Sequence, residues 1–62
     1  MYLFEAVAFF EKENGEHGMI VNPTYVFAGT QKTAERVFTL ENADVLKKYD
    51  IKEVTILVRP FA

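Results

Sequence analysis

The chain contains no cysteine, no serine and no tryptophan, only one histidine, two prolines and three glycines. Without cysteine there is no disulfide frame and no thiolate zinc knuckle to staple a small fold, which fits a reducing compartment. Without serine or cysteine the usual nucleophiles are missing. A threonine nucleophile would need an adjacent base, and the lone histidine, His17, falls in a turn. No apolar run approaches the roughly 20 residues of a membrane span, because Glu5 and Glu11 interrupt the one candidate. The N-terminus also lacks the basic flank and cleavage site of a signal peptide. A basic surplus is missing too: seven Lys and Arg stand against nine Asp and Glu, for a net charge of −2. Lys47, Lys48 and Lys52 are diluted by Asp44, Asp50 and Glu53, so conventional phosphate binding is disfavoured. These absences predict a soluble, non-catalytic protein inside a cell, with no membrane as its partner and nucleic acid disfavoured.

What the chain has is apolar side chains in excess of what it can hide. Half of its 62 residues are hydrophobic and nine are aromatic. That content excludes a disordered tail, and the length predicts one α+β domain over residues 1–62. A folded monomer of 7.1 kDa should expose roughly 4,000 Å². Much of the apolar content must therefore lie near the surface, and association is the usual remedy.

Residues 2–12 are rich in aromatic and branched side chains and stop at Asn14-Gly15, the preferred pair for a two-residue hairpin turn. Residues 18–28 form the returning strand. In that tight turn Glu13 faces Glu16, a like-charge pair that weighs against it; a five-residue loop over 14–18 is the alternative. The tight register pairs Phe10 with Met19, Ala8 with Val21, Ala6 with Pro23 and Phe4 with Tyr25 on an entirely apolar face. The other face pairs Phe9 with Ile20, Val7 with Asn22, Glu5 with Thr24 and Leu3 with Val26. A one-residue slip would exchange the faces of one strand. Pro23 belongs on an edge strand or at a bulge. Gly29-Thr30 ends the hairpin and opens a helix with Thr30 as N-cap. Ala34, Val37, Phe38 and Leu40 supply its apolar stripe, and Asp44 is expected to cap a second short turn. Residues 53–59 read as a third strand, with Val54, Ile56 and Val58 on one face and Thr55, Leu57 and Arg59 on the other.

The order strand–strand–helix–strand predicts an α+β fold with a three-stranded antiparallel/mixed sheet (ββαβ, order 2-1-3), one helix and a short second helical turn packed on one face. The helix and sheet should bury Phe4, Ala6, Ala8, Phe10, Val21, Tyr25, Phe38, Ile56 and Val58. A single helix covers one face only. The open face is expected to carry Leu3, Val7, Phe9, Ile20, Val26 and Leu57, with Glu5 and Arg59 fixing orientation. Burying a large aliphatic or Phe side chain is worth roughly 1.5–3 kcal/mol, so these eight residues are the candidate partner-binding site. Scattered exposed apolar residues are ordinary; a patch drawn from three strands is not.

Other chemistry is weaker. His17 with Glu11, Glu13 and Glu16 could hold a divalent cation, but a zinc site needs three ligands on rigid elements, and these ride on a hairpin tip. Glu5 and Glu11 share a strand face with no pocket implied. Gly29-Thr30-Gln31-Lys32-Thr33 lacks the glycine spacing of a phosphate loop. Only Phe9 clearly offers a stacking platform for a base, and the dispersed acids form no phosphate-like row for nucleic-acid mimicry. No catalytic residue, cofactor or metal is expected.

Leu3–Val7 (Leu-Phe-Glu-Ala-Val), Val21–Ala28 (Val-x-Pro-x-x-Val-x-Ala), Ala34 on the helix and Val54–Phe61 (Val-x-Ile-Leu-Val-Arg-Pro-Phe) together resemble small uncharacterised bacteriophage proteins. The resemblance spans most of the chain and carries no functional residue across. It implies an accessory or structural phage protein in the host bacterial cytoplasm or the virion. The expectation is an interaction module that forms a homo-oligomer or inhibits a host protein by occlusion. A virion assembly role and a nucleic-acid-directed role are the alternatives.

Overall fold

The computed structural model describes residues 1–61 as one sheet carrying one helical layer. Strand β1 (Tyr2–Glu11) and strand β2 (His17–Ala28) form a hairpin; helix α1 (Gln31–Glu41) and a single turn α2 (Ala43–Leu46) follow; strand β3 (Val54–Pro60) closes the fold. The sheet order is β2-β1-β3, with β1 antiparallel to both neighbours. β2 and β3 are therefore parallel edge strands, and the α+β fold and strand order are those the sequence pattern predicts.

The hairpin turn is neither of the two loops expected. The Lys12 amide donates to the Glu16 carbonyl at 2.7 Å and the Gly15 amide to the Lys12 carbonyl at 2.9 Å, enclosing three residues. Gly15 sits at φ +91°, the left-handed position that a three-residue hairpin loop fills with glycine. This closure sets Lys12 against Glu16, 3.6 Å apart, and avoids the Glu13–Glu16 repulsion of the tight turn.

Register then departs from the simple ladder at two bulges. Tyr2–Ala6 pair with Ala28–Thr24, Ala8 with Val21, and Phe9–Glu11 with Met19–His17. Asn22 and Pro23 together oppose Val7, and Ile20 is the extra residue between Val21 and Met19. Proline, which cannot donate to a ladder, is at home in the first bulge. The expected pairing survives only at Ala8–Val21, between the bulges. On either side the strand is one residue out of the expected phase, in opposite senses, so its faces exchange. Tyr25 leaves the core for the open face, while Val26 enters the core and Ile20 packs against it.

The core lies between the sheet and α1. Phe4, Ala6, Ala8, Val26, Ala28, Ala34 and Phe38 are buried, with Phe38 the one large side chain fully enclosed. Ile20, Val21, Val37, Leu46, Ile56 and Val58 pack around them. Three alanines on the strands and one on the helix let α1 settle close to the sheet, leaving Phe38 to fill the centre. At the hairpin end Phe10 stacks on Tyr49, ring centroids 5.2 Å apart. Phe10 also lies over Gly18, where an added Cβ would meet its ring at 3.0 Å.

Thr30 caps α1 as expected, its hydroxyl accepting from the Thr33 amide at 3.1 Å. Leu40 does not join the stripe; it is exposed, because α1 meets the sheet through the Ala34–Phe38 line. Asp44 does not cap α2. Asn42 holds that position and turns its own side chain back to the Phe38 carbonyl at 2.8 Å.

Candidate open-face interface

Backbone pairing arranges the uncovered face in rows across the three strands. Leu3 lies between Phe27 and Phe61, whose amide donates to the Leu3 carbonyl at 2.9 Å. Glu5 lies between Tyr25 and Arg59. Val7 lies beside Leu57, across from the Asn22-Pro23 bulge, and Phe9 lies between Met19 and Thr55. Side chains alternate along a strand, so these rows share the face opposite α1.

The face is largely apolar and open. Phe27 is 66% exposed, Tyr25 and Met19 55%, Leu57 54% and Phe61 51%. Leu3, Val7 and Phe9 are half-buried between them. Tyr25 and Phe61 reach over β1 to meet edge to face, centroids 4.9 Å apart. Glu5, Val7, Phe9, Met19, Pro23, Leu57 and Arg59 line a shallow depression beside them. Five large side chains exposing on the order of 100 Å² each already make a patch as big as those that monomers rarely leave bare.

At the centre of the face the charges pair with each other, while Glu11 lies on the same strand face at the hairpin end, opposite His17. Arg59 places Nη2 at 2.7 Å and Nε at 2.8 Å from one oxygen of Glu5, Oε1. Glu5 is the more sheltered partner, its side chain 18% exposed against 78% for Arg59. Glu5 thus sits between aromatic and aliphatic neighbours with its counter-ion one strand away.

Of the eight residues expected at this site, Leu3, Glu5, Val7, Phe9, Leu57 and Arg59 lie on the open face. Ile20 and Val26 lie on the helix side, for the register reason given above. The residues missed are Met19, Tyr25, Phe27 and Phe61. Pro23 and the Lys12–Glu16 charge pair were the signals that could have placed the first three, since both point to bulged, shifted pairing.

The other candidate groups do not assemble. His17 turns Nδ1 to the Gly15 carbonyl at 3.0 Å and pairs with Glu11 across the hairpin. Among the described residues no three His, Cys, Asp or Glu side chains gather as metal ligands. Gln31 does not face a ligand; its amide donates to the Val58 carbonyl at 2.9 Å. Among the described residues no helix is long and apolar enough to cross a membrane. No protein-family model, curated protein or solved structure matches the chain.

Proposed function

We propose that this chain is a non-catalytic protein–protein interaction module that works through its open sheet face. In keeping with the resemblance in its strand motifs, we place it among phage proteins acting in the host bacterial cytoplasm. The observation that carries the reading is the group of Tyr25, Phe27, Phe61, Leu57 and Met19, each more than half exposed on one side of a small sheet. Interface centres are rich in aromatic residues and Met and poor in unpaired charge. This face has that make-up, with its one ion pair internally matched.

The helical side differs. Leu40, an exposed apolar residue there, lies among Lys32, Glu35, Arg36 and Thr39, a solvated helix surface. Ile51, 86% exposed, lines a groove between α2 and β3 with Leu46, Tyr49, Val54 and Ile56.

The test is a quantitative affinity capture in the natural host with two baits, the wild-type chain and Phe27→Lys. Under this reading a defined protein, including a second copy of the chain, is retained by the wild type. It is lost with the variant, while circular dichroism of the variant is unchanged. Capture that is equal for both baits would overturn the assignment of the face.

A further inference from the structure

We infer that the occupant of the open face is a second copy of this chain, stacked face to face about a twofold axis; this rests on the interaction reading above and names its partner. Three observations converge. The first is area. With Leu3, Val7, Phe9 and Pro23 added to the five large exposed residues, the face offers roughly 700 Å². That is close to the ~800 Å² per partner of a standard stable interface. The molecule also exposes 4703 Å² against roughly 4,000 Å² expected for its mass. Its Cα extents are 39 × 22 × 16 Å, those of a two-layer slab. A second sheet about 10 Å away would complete a four-layer helix–sheet–sheet–helix sandwich with an aligned sheet pair at its centre.

The second is charge. An isologous interface brings a surface against itself, so any net charge on it is doubled. Glu5 and Arg59 cancel within one copy; Glu11, on the same strand face, lies at the hairpin end opposite His17, away from the centre. The Arg59 side chain, 78% exposed, keeps guanidinium donors turned outward for the Glu5 of an opposite copy.

The third is that the edges are blocked, so growth of the sheet sideways is not the route. On β1 the odd residues direct their amides and carbonyls to β3, as the Phe61–Leu3 bond fixes. Along β3 the outward backbone groups therefore belong to Val54, Ile56, Val58 and Pro60. Pro60 has no N–H, and the Val58 carbonyl is taken by Gln31. The outer edge of β2 is broken by Pro23 and two bulges. These are the devices by which sheets avoid edge-to-edge pairing. The face is left as the sticky surface.

Sedimentation equilibrium of the purified chain over a micromolar to millimolar series tests this. The expected mass is twice 7.1 kDa at the upper concentrations. Phe27→Lys and Leu57→Lys, both with wild-type circular dichroism, should each weaken association at least tenfold. Arg59→Glu should also weaken it, and the exchanged pair Glu5→Arg/Arg59→Glu should restore it. A wild-type chain that stays monomeric throughout overturns the second-copy assignment. So does a dimer indifferent to all these changes. If that monomer still captures another protein in a Phe27-dependent way, the broader interaction reading stands and only the self-association fails. If neither occurs, both fail.

Discussion

The two faces of this sheet are built from alternate residues of the same strands, yet they answer to different demands. Toward α1 small side chains make room for a few large ones: Ala6, Ala8, Ala28 and Ala34 are almost fully enclosed, around Phe38, Phe4 and Val26. Away from α1 the side chains are large: Tyr25, Phe27, Phe61, Met19 and Leu57 stand in water. A core under one helix has room for few bulky groups. On the face opposite α1 large apolar side chains stand exposed instead, which is where the interaction proposed above would use them.

The sharpest way to break this comparison is at neighbouring positions of β2. Val26→Lys should unfold the chain, because it buries an unpaired charge in the core. Tyr25→Lys should leave it folded, losing only about 0.5–1.5 kcal/mol of ring contact with Phe61. Urea titration followed by circular dichroism reads both. Equal losses at the two sites would show that the faces are not as assigned.

Within the core, Phe38→Ala should cost about 3–5 kcal/mol, a large share of what a domain of this size holds. Its urea midpoint should therefore collapse, whereas Phe27→Ala on the open face should shift it little. Smaller still is the turn. Gly15 adopts φ +91° with open space around it, so Gly15→Ala should cost about 1 kcal/mol through backbone strain alone. Thr30→Ala removes the α1 cap and belongs in the same range, about 1 kcal/mol. The smallest effect expected is Glu5→Gln in the monomer. An exposed ion pair contributes less than about 1 kcal/mol, so thermal unfolding at low concentration should barely change.

The sequence carried the architecture well and the hairpin register poorly. Strand, helix and strand were legible from alternation, the Gly29-Thr30 junction and the closing Val54–Val58 run, and these are the elements the structure contains. β1 and β3 pair without interruption from Phe4–Pro60 to Phe10–Val54, so their faces followed from parity. β2 did not, because it spends twelve residues against ten in β1. The two surplus residues are absorbed where local chemistry decides: at Asn22-Pro23, where the proline has no amide to give, and at Ile20, next to the Gly18–Phe10 contact. Parity arguments fail across a bulge, and half of the open face depends on them. Leu40 was misplaced for a related reason. Periodicity states that a helix has an apolar side, and only the packing line through Ala34 and Phe38 fixes where that side ends.

The central claim, that the chain meets its partner through the face opposite α1, is tested most directly by backbone and aromatic NMR shifts of the wild-type chain over a dilution series. The account predicts concentration-dependent shifts at Leu3, Glu5, Tyr25, Phe27, Leu57 and Phe61, with Ala34, Phe38 and the exposed side of α1 unmoved. Shifts centred on α1 or on Ile51, with the open face constant, would contradict it.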